Sequence, residues 1–89
     1  RPVHLLAPFP NPTRSATRLE FVLAEGAEAS LQVFDAAGRR VGTVHQGYLG
    51  AGAHTFNWRA DDAGVSSGLY FVELRAGEHR AVQKLLVVD

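Results

Sequence analysis

The sequence predicts an all-β fold, a sandwich of about seven antiparallel strands arranged in two packed sheets. Several short runs place apolar residues at every second position, which is the period of a half-buried strand. Glycine and aspartate separate these runs at near-regular intervals, as turn residues do. No segment repeats apolar residues at the i, i+3, i+4 spacing of a helix. The chain has 89 residues, and this size and strand number are typical of an immunoglobulin-like (Ig-like) sandwich.

The alternation places the strands one by one. In the first clear strand Leu19, Phe21 and Leu23 share one face, and Arg18 lies on the other. Runs of this kind predict strands at residues 17–23, 29–34, 39–46, 54–59, 68–75 and 80–88. Their inward positions predict a single core formed by Leu19, Phe21, Leu31, Val33, Phe56, Trp58, Tyr70 and Val72.

Turn residues account for the connections between these strands. Residues 35–38 predict a hairpin turn that aspartate opens and in which glycine takes the left-handed conformation. Residues 61–64 predict a second turn of the same type, residues 47–52 predict a glycine-rich loop, and Gly77 marks the last hairpin.

The residues before the first clear strand have a different composition. Three prolines within residues 8–12 exclude a helix and a central strand, because proline lacks the N–H group that both need. Residues 1–13 are therefore predicted to be a linker or a first edge strand, and residues 14–89 the Ig-like domain. The chain begins at Arg1 without an initiator methionine, which indicates a piece of a larger protein.

Composition narrows the classes of partner. Nine basic and nine acidic residues are scattered along the chain and cancel, so no nucleic acid or anionic lipid is expected as a partner. No apolar run approaches the roughly 20 residues of a transmembrane helix. The chain contains no cysteine, which excludes disulfides and thiolate metal sites.

No pattern of residues points to catalysis. The spacings of His4, His45, His54 and His79 match no metal-ligand motif. Asp61 and its neighbours lack the alternating oxygen ligands of a calcium loop, and the serines lack a nucleophile context. We therefore expect no catalytic, cofactor-binding or metal site, and we expect that the isolated domain is not an enzyme.

The aromatic residues leave one alternative open. Tyr48, Trp58, Tyr70 and Phe71 could form a stacking platform for sugars, as in a carbohydrate-binding module of a glycoside hydrolase. Trp58 alternates with polar neighbours, which favours a place in the core instead. Tyr48 is expected to be the only exposed aromatic residue.

Six short motifs occur in a fixed order along almost the whole chain from Pro8 onward. They are Pro10-Asn11-Pro12, Thr17-x-Leu19-x-Phe21-x-Leu23, Leu31-x-Val33-Phe34-Asp35-x-x-Gly38-Arg39-x-Val41, Gly52-x-His54-x-x-x-Trp58, Ser67-Gly68-Leu69-Tyr70-Phe71-x-x-Leu74 and Lys84-Leu85-Leu86-Val87. This series resembles the C-terminal sorting domains of proteins exported by the type IX secretion system. It is equally similar to the Ig-like domain of flagellar hook-capping proteins.

The resemblance to sorting domains implies a role in secretion. It implies a non-catalytic module that directs export and cell-surface attachment of a larger secreted protein, such as a polysaccharide-degrading hydrolase. The implied partners are the secretion or cell-envelope machinery and a catalytic domain upstream. The recognition candidates are the residues that match the motifs, namely Pro10, Asn11, Pro12, Asp35, Gly38, Arg39, Gly68, Tyr70 and Lys84. The alternative resemblance implies a structural Ig-like domain of a flagellar hook-assembly protein.

The last predicted strand carries a further expectation. Residues 82–88 are apolar on both faces, which is unusual for a half-solvated strand. Either both faces are covered within the domain, or a partner covers one of them. We hypothesise that an export receptor recognises this strand and Lys84, either by pairing with the strand edge or by binding it in a hydrophobic groove. A purely protective role for Lys84, as a charge that prevents edge-to-edge aggregation, is the alternative.

Overall fold

Seven antiparallel strands and one helical turn make up the computed structural model, which describes residues 2–89. This confirms the predicted all-β sandwich. The elements are β1 Val3–Leu5, β2 Ala16–Leu23, β3 Ala27–Asp35, β4 Arg40–Leu49, β5 Gly52–Arg59, α1 Ala60–Ala63, β6 Gly68–Ala76 and β7 His79–Val87.

The strands are divided between two sheets. A three-stranded sheet has the order β1-β2-β5, and a four-stranded sheet has the order β4-β3-β6-β7. The β3–β4 and β6–β7 hairpins therefore lie within one sheet, whereas the β2–β3, β4–β5 and β5–β6 connections pass from one sheet to the other. Strands β3 and β6 are the central pair of the larger sheet, and β7 is one of its edges.

The core lies between the inward faces of the two sheets. Seven of the eight predicted core residues are buried, including Trp58 and Tyr70, which are each 6% exposed. Phe56 is only half-buried, because β5 is the edge of its sheet. Its ring packs between Phe21 and His45, with ring centroids 6.0 Å and 5.2 Å away.

The glycine-rich segment 47–52 is not a loop as expected. Gly47 and Tyr48 continue β4 and pair with Ala29 and Glu28, so the connection to β5 shrinks to two residues. The reason is the length of β3, which extends two residues further back than predicted and offers its backbone as a partner. Glycine weakens a strand but does not prevent pairing when such a partner is present.

The predicted turn at residues 61–64 is a single turn of α-helix. Ala60 is buried at its start, and Gly64 closes it in the left-handed conformation with φ of 69°. Asp61 and Asp62 do not cap the backbone. Their carboxylates instead contact the Arg59 guanidinium at 3.2 and 3.5 Å.

The N-terminal segment contacts both sheets. Strand β1 pairs with β2, and the chain then turns at Pro10 and Pro12, which both follow cis peptide bonds. Beyond the turn, Thr13 forms an isolated parallel bridge with Val87 of β7. We call residues 11–13 the clasp, because they cover the outer edge of the last strand.

Four hydrogen bonds hold the clasp to β7. The Asn11 side chain accepts from the Leu86 N–H at 2.9 Å and donates to the Lys84 carbonyl at 3.1 Å. The Thr13 N–H donates to the Leu86 carbonyl, and the Thr13 carbonyl accepts from the Val88 N–H, each at 2.9 Å. The outer backbone groups from the Lys84 carbonyl to the Val88 N–H are therefore already hydrogen-bonded.

We expect Trp58→Ala to destabilise the domain by about 3–5 kcal/mol, because it removes a large buried side chain and leaves a cavity. The free energy of unfolding can be measured by urea denaturation followed by circular dichroism. Asn57→Ala, on the exposed face of the same strand, is the matched control and should change stability by less than about 0.5 kcal/mol. An unchanged stability of Trp58→Ala would contradict its place in the core.

Asn11→Ala should open the clasp, because it removes two of its four hydrogen bonds. We expect a loss of about 1–2 kcal/mol in the free energy of unfolding. Amide exchange should accelerate at Leu86, which bonds Asn11, but not at Leu85, whose strand partner is Tyr70 of β6. Equal acceleration at both amides would indicate global destabilisation and would count against a local clasp.

Candidate functional site

All nine recognition candidates lie at one end of the sandwich, where β3 and β7 end and β4 and β6 begin. The register joins Asp35 to Tyr70 and Tyr70 to Leu85, so the hairpin, the start of β6 and the end of β7 are neighbours. The clasp brings the two prolines and Asn11 to the same end through its bonds to β7. The structure therefore gathers the candidates, and their individual contacts distinguish their roles.

Asp35 organises the β3–β4 hairpin. Its Oδ1 accepts from the backbone N–H groups of Ala37 and Arg39 at 3.0 and 2.9 Å, and its Oδ2 accepts from Arg39 Nε at 3.0 Å. The bond from the Arg39 backbone N–H and the guanidinium beside it lower the pKa of Asp35. Gly38 has φ of 87°, which explains the glycine at this position of the turn. These contacts give Asp35 and Gly38 a local structural role.

Tyr70 and Gly68 position the loop that follows α1. The Tyr70 hydroxyl donates to the Ser66 carbonyl at 2.6 Å, and its buried ring lies 6.3 Å from Trp58 between centroids. Gly68 begins β6 with φ of 151°, a conformation that side chains disfavour. The depression between this loop and the β3–β4 hairpin has a volume of about 540 Å³. It is lined largely by small residues of the two turns.

Lys84 is the one candidate that lies on β7, and its side chain is exposed on the outer face of that strand. Beside it on that face, Val82 and Leu86 are each 40% exposed, whereas Leu85 and Val87 point into the core. The last strand therefore has one covered face and one open face. A partner strand that paired with the stretch from Lys84 to Val88 would have to displace the clasp, which bonds the outer backbone groups there.

A row of four side chains crosses the open face of the four-stranded sheet at Lys84. The register pairs Arg40 of β4 with Phe34 of β3, Phe34 with Phe71 of β6, and Phe71 with Lys84 of β7. Directly paired residues share a face of the sheet, so the four form one line, which we call the outer row. The β3–β4 register is interrupted between Val33 and Phe34, next to the pair that Phe34 forms with Arg40. Both phenylalanines are half-buried, and both terminal cations are exposed.

Sequence reasoning missed Arg40 and Phe34 as members of a site, and it considered Phe71 only as part of a stacking platform for sugars. The signal in the sequence was the alternation of side chains along each strand. Phe34 directly follows the buried Val33 in β3, and Phe71 directly precedes the buried Val72 in β6, so both phenylalanines lie on the outer face. An aromatic residue at a solvent-facing position in each of two strands was visible. That the two strands are neighbours, in the register that joins these residues, was not.

An ion cluster flanks the outer row. Glu73 is only 8% exposed and accepts from Arg75 Nε at 3.2 Å and from Arg80 Nε. Burial alone would raise the pKa of Glu73, but the hydrogen bonds and charges of Arg80 and Arg75 outweigh it and lower the pKa. The carboxylate is thus fully engaged within the domain.

The outer row and the residues beside it include more basic than acidic side chains. Within the described residues 2–89, neither Arg40 nor Lys84 has a carboxylate oxygen within 4.0 Å. The two carboxylates nearby, Asp35 and Glu73, are each held by arginine. Five basic residues lie in or beside the row, namely Arg39, Arg40, Arg75, Arg80 and Lys84.

The arrangement of aromatic residues does not form the platform considered for sugars. Trp58 and Tyr70 are buried, so neither offers a ring face to solvent. Tyr48 is 66% exposed, but it is not the only exposed aromatic residue as expected, because Phe9 is 65% exposed with Arg18 above its ring. The proline-rich segment projects this side chain outward between β1 and the clasp.

Residues 2–89 contain no group of three or more histidine, aspartate or glutamate side chains arranged to hold a metal ion. Over the same residues, no helix has the length and apolar composition needed to cross a bilayer.

Comparison with known proteins identifies the family. The model of the FlgD Ig-like domain matches residues 11–79, from the clasp to the start of β7. The chain belongs to this family. A structural similarity to the Ig1 domain of mouse SynCAM 2 covers 92% of this chain and 95% of that one, with 16% identity and a TM-score of 0.43. A search of curated proteins found no match.

Glu73→Gln should lower the free energy of unfolding by about 1–2 kcal/mol at neutral pH, because both guanidinium groups lose an ionised partner. The pKa of Glu73 is lowered by folding, so its stabilisation is complete above the pKa of an unfolded glutamate, about 4.3. The stabilisation is lost as the pH falls through the lower pKa of the folded state. The difference between wild type and variant should therefore shrink in acid.

Urea denaturation at intervals from about pH 7 to about pH 3 measures this difference. The contribution of Asp35 titration to the free energy of unfolding cancels in this difference, because Asp35 is present in both proteins. Glu28→Gln, an exposed glutamate on β3 without an ion pair, is the control and should change stability little at any pH. A Glu73→Gln effect that stays constant down to the acid limit would refute the role of the charge.

Proposed function

We propose that this domain is a non-catalytic docking module of a larger protein, and that the outer row is the surface through which it docks. The observation that carries the proposal is the row itself. It presents two half-buried phenylalanines between two cations that have no carboxylate partner among the described residues. Exposed apolar area combined with free charge is typical of surfaces that bind other proteins.

The contacts of the titratable groups support a non-catalytic role. Asp35 is held in its hairpin by three hydrogen bonds, and Glu73 is held by two arginines. A general base needs a pKa near the working pH, whereas the pKa of both carboxyls is lowered. Neither group is suited to accept a proton from a substrate.

The first setting for this docking is a flagellar hook-assembly protein. Membership in the FlgD Ig-like domain family favours it, because the match covers residues 11–79 and so includes the clasp, β3 and β6. In this setting the domain is a structural module that holds its parent against a neighbouring subunit of the assembly.

The second setting is secretion and cell-surface attachment of a larger secreted protein, such as a polysaccharide-degrading hydrolase. The resemblance of the six-motif series to type IX sorting domains supports it, and this series includes the motif at residues 84–87, which lies beyond the residues 11–79 of the family match. That motif includes Lys84 at the end of the outer row, and the clasp bonds its backbone. The partners in this setting are the secretion or cell-envelope machinery, and the location is the cell surface.

Deletion of the domain from its parent, followed by fractionation of the cells and inspection of their flagella, should distinguish the settings. For a sorting module we expect the parent to accumulate inside the outer membrane while flagella stay normal. For a hook-assembly module we expect defective hooks. Normal hooks together with normal delivery of the parent would overturn both settings.

Removing only the last strand is a poor substitute for this experiment. Deletion of residues 83–89 would take Leu85 and Val87 out of the core, where they are 0% and 4% exposed. Loss of delivery would then report unfolding. Phe71→Thr and Lys84→Glu, which change only the outer face of the sheet, are the sharper variants in the full parent.

A further inference from the structure

We propose that the outer row binds an extended acidic segment of a partner protein, with two carboxylates separated by three residues and an apolar residue midway between them. The inference rests on the proposed docking function and specifies its ligand. It follows from the spacing of the row, from its charge and from the depression beside its phenylalanines.

The spacing sets the length of the segment. Arg40 and Lys84 stand on the two edge strands, three strand separations apart, which is roughly 14 Å at about 4.8 Å per strand. An extended chain rises about 3.3 Å per residue, and residues i and i+4 point the same way about 13 Å apart. Carboxylates at these two positions therefore reach both cations of the row.

The middle of the row accepts the apolar residue. Position i+2 of the same segment faces Phe34 and Phe71, which are paired at the centre of the sheet. A depression of about 660 Å³ lies beside them, with an apolar lining of Phe34, Phe71 and Val82 and a charged lining of Asp35, Glu73, Arg75 and Arg80. Both carboxylates in this lining are already paired with arginine. This volume accommodates a leucine-sized side chain without displacing the core.

The positive charge of the outer row favours an acidic partner segment. Arg40 and Lys84 are exposed and without a carboxylate partner in the described part of the chain, so a purely apolar partner would desolvate two unpaired charges. A basic partner would be repelled by the five basic residues in and beside the row. Two carboxylates on the partner satisfy both cations and leave the Glu73 cluster intact.

The clasp leaves the face of the sheet, rather than the edge of β7, open to the partner segment. A partner strand added to the end of β7 would have to displace Asn11 and Thr13 from four hydrogen bonds. The outer row needs no such displacement, because its side chains already face solvent.

The test uses the full chain and a dye-labelled peptide with blocked ends and the core Glu-Thr-Leu-Thr-Glu, flanked by serines. Binding is measured by fluorescence anisotropy and mapped by amide chemical shifts. We expect shifts centred on Phe34, Phe71 and Lys84, and binding at least about tenfold weaker for the rearranged core Glu-Glu-Leu-Thr-Thr, which has the same composition.

Variants test the contacts directly. Lys84→Glu and Phe71→Thr should each weaken binding about tenfold, whereas Arg14→Glu, the same charge change on an exposed loop, should change it less than about twofold. Lys84→Glu should also prefer a peptide in which lysine replaces the glutamate that faced Lys84. Both singly substituted peptides are tested, because the direction of the segment is not fixed by the row.

Equal binding of the two peptide cores, equal effects of Lys84→Glu and Arg14→Glu, or shifts on the other sheet would each overturn the inference. Binding to vesicles of anionic lipid without binding to the peptide would also overturn it, in favour of a membrane surface. Failure of the docking function is detected separately, by normal hooks and normal delivery of the parent after deletion of the domain.

Discussion

The antiparallel register between β3 and β6 is the constraint on which the rest of the domain depends. It places Val33 opposite Val72 inside the sandwich and Phe34 opposite Phe71 outside it. Because side chains alternate along a strand, a slip of one residue would expose the valines and bury the phenylalanines. One register thus determines both the core and the outer row. The hairpin at Asp35 and the bond from Tyr70 to Ser66 stabilise this register at the end of the sheet where the row lies.

Strand β7 completes the row only because both of its edges are held. On one edge it pairs with β6 along its whole length, and on the other the clasp bonds its C-terminal half. The ion cluster around Glu73 adds a link between β6 and β7 on the outer face, next to the row. Lys84 therefore stands on a strand whose C-terminal half is hydrogen-bonded along both edges, which preorganises the docking surface proposed above.

Local signals in the sequence were sufficient to predict much of the fold. Alternation in residues 17–23 and 68–75 predicted two strands whose inward residues belong to one core, and the aspartate and glycine of residues 35–38 predicted the hairpin turn. The strand extension at Gly47 was missed because it depends on a partner strand, and glycine alone suggests a loop. The clasp was missed for a related reason. Asn11 and Leu86 are 75 residues apart, and no local pattern encodes their hydrogen bond. The outer row was predictable only in part. Local alternation shows that its side chains face outward, but their alignment across four strands depends on long-range pairing that no local pattern encodes.

The clasp also has a mechanical consequence. Thr13 and Val87 run parallel, so the chain enters the clasp and leaves β7 at opposite ends of the same bonded pair. Tension applied between residues 11 and 88 would pull these segments past each other and load their hydrogen bonds together, in shear. Bonds loaded together break less readily than bonds opened one after another, and resistance to such pulling is governed by the rate of unfolding. A clasp of this geometry resists forces that slide it along β7.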